Sequence, residues 1–239
     1  MRIAPPVARG LRLSIVEGSL WAVYWNIIAG VVINALALAI GARPIHIAIL
    51  NALPLLGQVF GLPAARYLQT RDHRKAVALF AEALSRGIWL LVPLLVYLAP
   101  GDTRVWFVLG VAALSHMAHA SGAVAWLSWM SDLVPEAIRG TYFGVRTAIL
   151  GVVGAVGAML ASAWADGVRA DEAEPGAYLG VLLALVVIAV LVGALGWWGL
   201  LIQPVRRMRG RAEAGWAAIA RQLRRGNGRR IAVCWAALA

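Results

Sequence analysis

Glu82 and Arg86 interrupt a long apolar run and lie four positions apart. In a helix that spacing puts both on one face, with the acid N-terminal to the base, the favourable order for an ion pair. Counted inward from Lys75, Arg86 falls about 16 Å along a helix rising ~1.5 Å per residue, near mid-membrane if the run spans one. A lone charge at that depth costs at least ~2.5–3.5 kcal/mol. Two readings stay open: a neutralised pair fixing one helix against its neighbour, or cavity charges that sense protons or solute.

His116 and His119, in Ser-His-Met-Ala-His, share a helix face at i, i+3. Such a pair could hold a metal, but no Glu or Cys lies near it in sequence to complete a ligand set. It could relay protons, or simply face other helices or the outer interface. Ser115, His119, Gly122, Trp126 and Trp129 recur on one helical face, and Asn26, Gly30, Asn34 and Ala37 on another. These two faces are the candidate solute surface, with Asn26, Asn34, Glu82, Arg86, His119 and Trp126 as its polar and aromatic contacts. Interhelical hydrogen bonding is the competing use for them. No His-Glu-x-x-His, Gly-x-Ser-x-Gly or Asp-rich metal motif occurs, so a membrane-embedded enzyme lacks its expected parts. Cys234 is the single cysteine, which excludes an internal disulfide and a Cys-rich metal site. No catalytic residue, metal or cofactor is expected.

The elements that must position these groups follow from composition. The chain is 62% hydrophobic and 14% charged, with mean hydropathy +0.78, where soluble domains run nearer half and a quarter. That excess of apolar surface belongs in a bilayer, whose ~30 Å core takes about 20 helical residues. Apolar runs of that length lie at about 18–40, 45–68, 77–99, 105–130, 143–165 and 177–202. They lack period-two alternation, which argues against a barrel. The fold class is therefore all-α, a polytopic membrane protein with a six-helix bundle over 18–202. The first run outlasts the ~7–15 residues of a signal-peptide core and is expected to be retained.

Residues 1–17 read as a cytoplasmic N-terminus. Residues 203–230 read as a basic cytoplasmic linker, with Trp216, Ile219 and Leu223 spaced for an interfacial amphipathic helix. Residues 231–239 read as the start of an incomplete seventh span. With the N-terminus inside, eighteen of the twenty-two lysines and arginines fall on the cytoplasmic side and three outside, as the positive-inside rule requires. The net charge of +11 thus needs no nucleic-acid partner. Arginine richness with a single lysine, beside abundant Ala and Gly, matches a GC-rich bacterial genome and places the expected site in the bacterial inner membrane.

Between the fourth and fifth runs lies a polar stretch, SDLVPEAIRGTYFGVR, at 131–146. Its spacing Asp132-x-x-Pro135-x-x-x-Arg139-Gly140 resembles the loop between helices 4 and 5 of major facilitator superfamily transporters. After the second run, Arg71 and Arg74-Lys75 match basic positions of that family's Gly-x-x-x-Asp-Arg-x-Gly-Arg-Arg/Lys loop. His73, Thr70 and Arg66 stand where Gly, Asp and Gly are expected. The resemblance implies the N-terminal six-helix half of a secondary transporter that moves a small solute by alternating access, with a second half or a homodimer partner completing the cavity. It implies that helices 1 and 4 line that cavity, that a proton or other ion couples transport, and that Arg71, Arg74, Asp132 and Arg139 form a gating cluster in the inner loops. The run GVVGAVGAML has the glycines of the family's antiporter motif but not its proline. A structural or regulatory membrane homodimer is the other class kept open.

Overall fold

The computed structural model describes residues 5–170 and 175–204. Among them every regular element is a helix: α1 (Pro5–Ile28), α2 (Val31–Ala39), α3 (Pro44–Gly57), α4 (Gly61–Thr70), α5 (Arg74–Gly87), α6 (Leu91–Leu98), α7 (Thr103–Leu133), α8 (Arg139–Ala170) and α9 (Pro175–Ile202), with short 3₁₀ turns between some of them. They group into six apolar spans long enough to cross a membrane, Val7–Ala39, Pro44–Gln69, Arg74–Leu98, Thr103–Leu133, Glu136–Arg169 and Gly176–Ile202. The expected linker, interfacial helix and seventh span, at 205–239, lie outside the described residues.

Prolines explain where the spans bend. A proline removes the hydrogen bond to the carbonyl four residues earlier and crowds it. Pro63 does so at Val59 and Pro93 at Trp89, and 3₁₀ turns occupy Gln58–Phe60 and Ile88–Leu90. The second and third spans are therefore each two helical pieces in line. The first span breaks for another reason. Asn26 Nδ2 donates to the carbonyl of Ala22 at 2.8 Å, a back-bond that bends helices, and at Gly30 a Cβ would overlap the backbone oxygen of Asn26. Gly41, at φ +96°, turns the chain into Pro44, which takes the first helical position of α3.

The helix ends differ from the hydropathy reading at two places. The first helix starts at Pro5 rather than near Gly18, and α8 starts at Arg139 rather than near Phe143. The polar stretch 131–146 shrinks to a linker of residues 134–138, so Arg146 lies two turns inside α8 rather than at the edge of a span. Hydropathy registers arginines and glutamate as flanks, but helical backbone continues wherever the groups have buried partners.

α1 packs against α9 and α8, while α5 packs against α7, which also meets α3 and α4. Close approach of α8 to α1 is made by two glycines: a Cβ on Gly154 would press on Ala22, and one on Gly157 on Val23, whereas Gly151 faces open space. At the centre, the Tyr24 hydroxyl donates to the Ser85 carbonyl at 3.1 Å, and the Ser115 hydroxyl donates to the same carbonyl at 2.8 Å. Trp89 Nε1 donates to Ser115 Oγ at 2.8 Å. This clasp joins α1, α5 and α7 and satisfies polar groups that lipid could not. The second and fifth spans are the least buried of the six.

Candidate functional site

Next to this clasp, five helices leave a cavity of about 150 Å³. α1 supplies Glu17 and Trp21, α5 Glu82 and Arg86, α7 His119, Ala123 and Trp126, α8 Arg146 and α9 Leu200. Arg86 is the hub. Its Nη1 donates to the Gly193 carbonyl on α9 at 2.7 Å. Its Nη2 lies 3.2 Å from Glu17 Oε1 and 3.3 Å from Glu82 Oε2. Glu82 Oε1 in turn lies 2.9 Å from His119 Nδ1. Glu17 Oε2 lies 3.6 Å from Arg146 Nη2, and Arg146 Nε donates to the Ser14 carbonyl at 3.3 Å.

Burial gives this network its weight. Glu17, Glu82 and Arg86 are 5%, 4% and 3% exposed. Desolvating such charges costs several kcal/mol each, which only close opposite charges and good hydrogen bonds offset. Two carboxylates face two guanidiniums, and the His119 imidazole lies beside Glu82. Small residues make room for the chains: a Cβ at Gly122 would press on Glu82, one at Gly18 on the Arg146 guanidinium, and one at Gly193 on Tyr24 and Arg86.

An aromatic wall continues the site. Trp21 stacks on Trp25 and on His119 at centroid distances of 5.4 and 5.5 Å. Trp25 also meets His116 edge-on and His119 tilted. The Arg146 guanidinium sits 4.3 Å over the Trp126 ring, a cation–π contact strengthened by desolvation. The indole N–H groups of Trp21 and Trp126 and the Nε of Arg86 are buried without partners.

Four of the six expected solute contacts, Glu82, Arg86, His119 and Trp126, meet in this cavity. Asn26 and Asn34 do not line it. Asn26 is turned back on its own helix, and Asn34 Nδ2 bonds Asn51 Oδ1 at 3.2 Å between α2 and α3. Of the expected α7 face, His119 and Trp126 line the cavity, whereas Ser115 serves the clasp, Gly122 packs on Glu82 and Trp129 Nε1 donates to the Pro204 carbonyl at 3.0 Å. The cavity face of α1 is Glu17 and Trp21, one turn apart, not the asparagine face. Glu17 and Arg146 are hidden in the sequence because both stand in stretches that hydropathy marks as flanks. One signal points to Glu17: it is the only acid in the first seventy residues. Among the described residues there is no group of three or more His, Cys, Asp or Glu that could hold a metal ion.

The loop cations behave unequally. Arg74 is buried at the start of α5, with Nη1 2.5 Å from Asp132 Oδ2 at the end of α7 and also bonded to the Ser128 carbonyl at 3.1 Å. Its Nε lies 3.5 Å from Asp72. Arg139 Nη2 donates to the Ser131 carbonyl at 2.8 Å, folding the start of α8 onto the end of α7. Arg71 is exposed. Lys75 Nζ donates to the carbonyls of Leu201 and Gln203 at 2.7 and 2.8 Å, capping α9. Arg74–Asp132, Arg139 and Lys75 all lie at the end of the bundle where α5 starts and α7 and α9 finish.

Six membrane-length helices, five of which wall a cavity edged by charged and aromatic side chains, make this an integral membrane protein. A family model described as Major Facilitator Superfamily matches residues 13–239, and the chain belongs to that family. No curated protein and no solved structure shows a significant match to it.

Proposed function

We propose that this chain is the N-terminal six-helix half of a secondary transporter, and that the Glu17–Arg86–Glu82–His119–Arg146 cavity is its share of the solute site. The single observation that carries the reading is the burial of Glu17, Glu82 and Arg86, with a half-buried Arg146 beside them, around a cavity. A bundle needing only structural pairing would gain more from apolar packing there, since replacing a buried ion pair by well-packed apolar residues is often neutral or stabilising. Intramembrane ionisable groups facing a cavity are by default functional.

In this reading the protein lies in the bacterial inner membrane with its N-terminus cytoplasmic. A second six-helix unit, in the same polypeptide or as a second copy, completes the cavity, and its seat is the poorly covered face of the second and fifth spans. Rocking of the two units exposes the cavity to each side in turn. Arg74–Asp132 and Arg139 hold the cytoplasmic ends together in one state and release them in the other. His119 and Glu82, sharing one hydrogen bond, are the pair through which a coupling proton enters the network.

The test is flux in vesicles made from the membrane in which the native gene product resides, against a panel of sugars, amino acids, organic acids and cationic drugs. At least one solute accumulates, and Arg86→Ala abolishes its uptake while the protein remains in the membrane. Flux unchanged by Arg86→Ala would falsify the assignment of the cavity.

A further inference from the structure

We propose that a groove on the outside of the bundle, between the second and third spans, binds one anionic phospholipid, with its phosphate at the rim and an acyl chain along the wall. Tyr67 and His73 stand at the mouth of this groove, Phe80 and Leu84 of α5 run along it, and Ala118 and Ser121 of α7 lie opposite them. Leu84 is eleven residues beyond His73, about 16 Å along a helix rising ~1.5 Å per residue. That is about half of a ~30 Å hydrocarbon core, so the groove follows α5 through one leaflet, the path of an acyl chain. Its wall faces outward, since Phe80 is 74% exposed. Below the mouth the wall is apolar except for Ser121, whose hydroxyl is turned to the carbonyls of Phe60 and Met117 at 3.2 and 3.3 Å. A polar occupant would lose its hydrogen bonds there, whereas hydrocarbon has none to lose. No residue of the fifth span lines the groove, so it is separate from the seat proposed for a second unit.

The mouth has the opposite character. The Tyr67 hydroxyl and His73 Nδ1 are 3.1 Å apart, a polar pair at the level where headgroups begin and where tyrosine is favoured. Arg66 precedes Tyr67 on α4, and Arg71, which closes that helix, lies two residues before His73; both arginines are exposed. Residues 66–75 carry four cations, Arg66, Arg71, Arg74 and Lys75, against one acid, Asp72. Arg74 lies against Asp72 and also holds Asp132, and four cations less these two acids still leave a charge of +2 at the rim. Basic clefts at the ends of membrane helices take anionic headgroups, and a guanidinium meets a phosphate through two parallel hydrogen bonds. A zwitterionic headgroup brings its own cation to the same arginines and gains less. An apolar channel one leaflet deep below a cationic rim thus matches both parts of an anionic phospholipid.

The test uses the full chain in phosphatidylcholine nanodiscs containing a small, rising fraction of phosphatidylglycerol with a diazirine at the end of one acyl chain. After photolysis, mass spectrometry locates the labelled peptides. Phosphatidylglycerol labels the segments around Leu84 and Ala118 saturably, about fivefold or more above phosphatidylcholine carrying the same photoreactive chain, and unlabelled phosphatidylglycerol competes. Arg71→Gln lowers this labelling about threefold or more, and Arg71→Lys, which keeps the charge, restores most of it. Equal labelling by the two lipids overturns the proposal, because the rim then selects no headgroup. Labelling by phosphatidylglycerol that Arg71→Gln leaves unchanged also overturns it, as does labelling spread evenly over the outside of the bundle. Absence of lipid label from the groove, with Phe80→Cys forming a disulfide between two copies, would assign this face to a protein contact instead.

Discussion

At the scale of single residues, Arg86 holds the most partners in the smallest space. Removing its guanidinium leaves Glu17 and Glu82 facing each other at depth, with only Arg146 and His119 to offset them. Breaking a buried charge pair in this way costs about 3–5 kcal/mol. Arg86→Ala is therefore expected to lower the melting temperature of the detergent-solubilised chain markedly. Glu17→Gln, which keeps an acceptor for the same Nη2, should cost much less. A larger loss for Glu17→Gln than for Arg86→Ala would place the hub elsewhere. Glu82, Arg86, His119 and Trp126 are legible in the sequence because each stands out inside an apolar run. Glu17 and Arg146 are not, because polar residues at the edge of a run carry the same hydropathy whether they flank a helix or continue it. The packing of α1 against α8 through Gly18 and Gly154, and against α9 through Gly196 and Gly199, brings those two side chains to the cavity.

At the scale of elements, apolar length locates the spans themselves, and Pro63 and Pro93 mark where two of them break. The break near Gly30 is not legible in this way, since it depends on how the Asn26 side chain uses its amide. Helix contacts offer an internal control. Gly154 and Gly157 press on α1, whereas Gly151, on the same helix three residues earlier, meets nothing. Gly154→Leu should destabilise the bundle by about 1–3 kcal/mol through overpacking, and Gly151→Leu should leave its melting curve unchanged. Equal effects would mean that α8 does not sit on α1 as described. The end of the bundle where α9 finishes gives a second expectation. Lys75 bonds the last carbonyls there, which otherwise lack intrahelical partners. Lys75→Met should speed amide hydrogen exchange in the last two turns of α9 and leave α1 unaffected.

At the scale of the whole molecule, the apolar faces and the charged interior have different jobs. The outside of the bundle carries Leu55, Phe80, Leu98, Met159 and Leu195, each at least two-thirds exposed and suited to lipid or to a second helical unit. The inside keeps five titratable groups around a void. The ties at one end, Arg74–Asp132 above all, join the start of α5 to the end of α7, the two helices that hold Glu82, Arg86 and His119. In the proposed mechanism this tie at the rim is the one that opens and closes with the side to which the cavity is exposed. In the proposed orientation, Asp132→Asn is expected to shift the cavity toward the cytoplasmically open state.

The most direct measurement is the sidedness of solvent access to the cavity. Ala123 lines it, and Cys234, the single native cysteine, can be replaced by serine to give a clean background. Ala123→Cys is then treated with a membrane-impermeant maleimide from each face of sealed vesicles. The account predicts labelling from both faces, with Asp132→Asn raising the cytoplasmic rate severalfold and lowering the external one. No labelling from either face, while the same cysteine reacts fully after denaturation, would mean a sealed structural core and contradict the account.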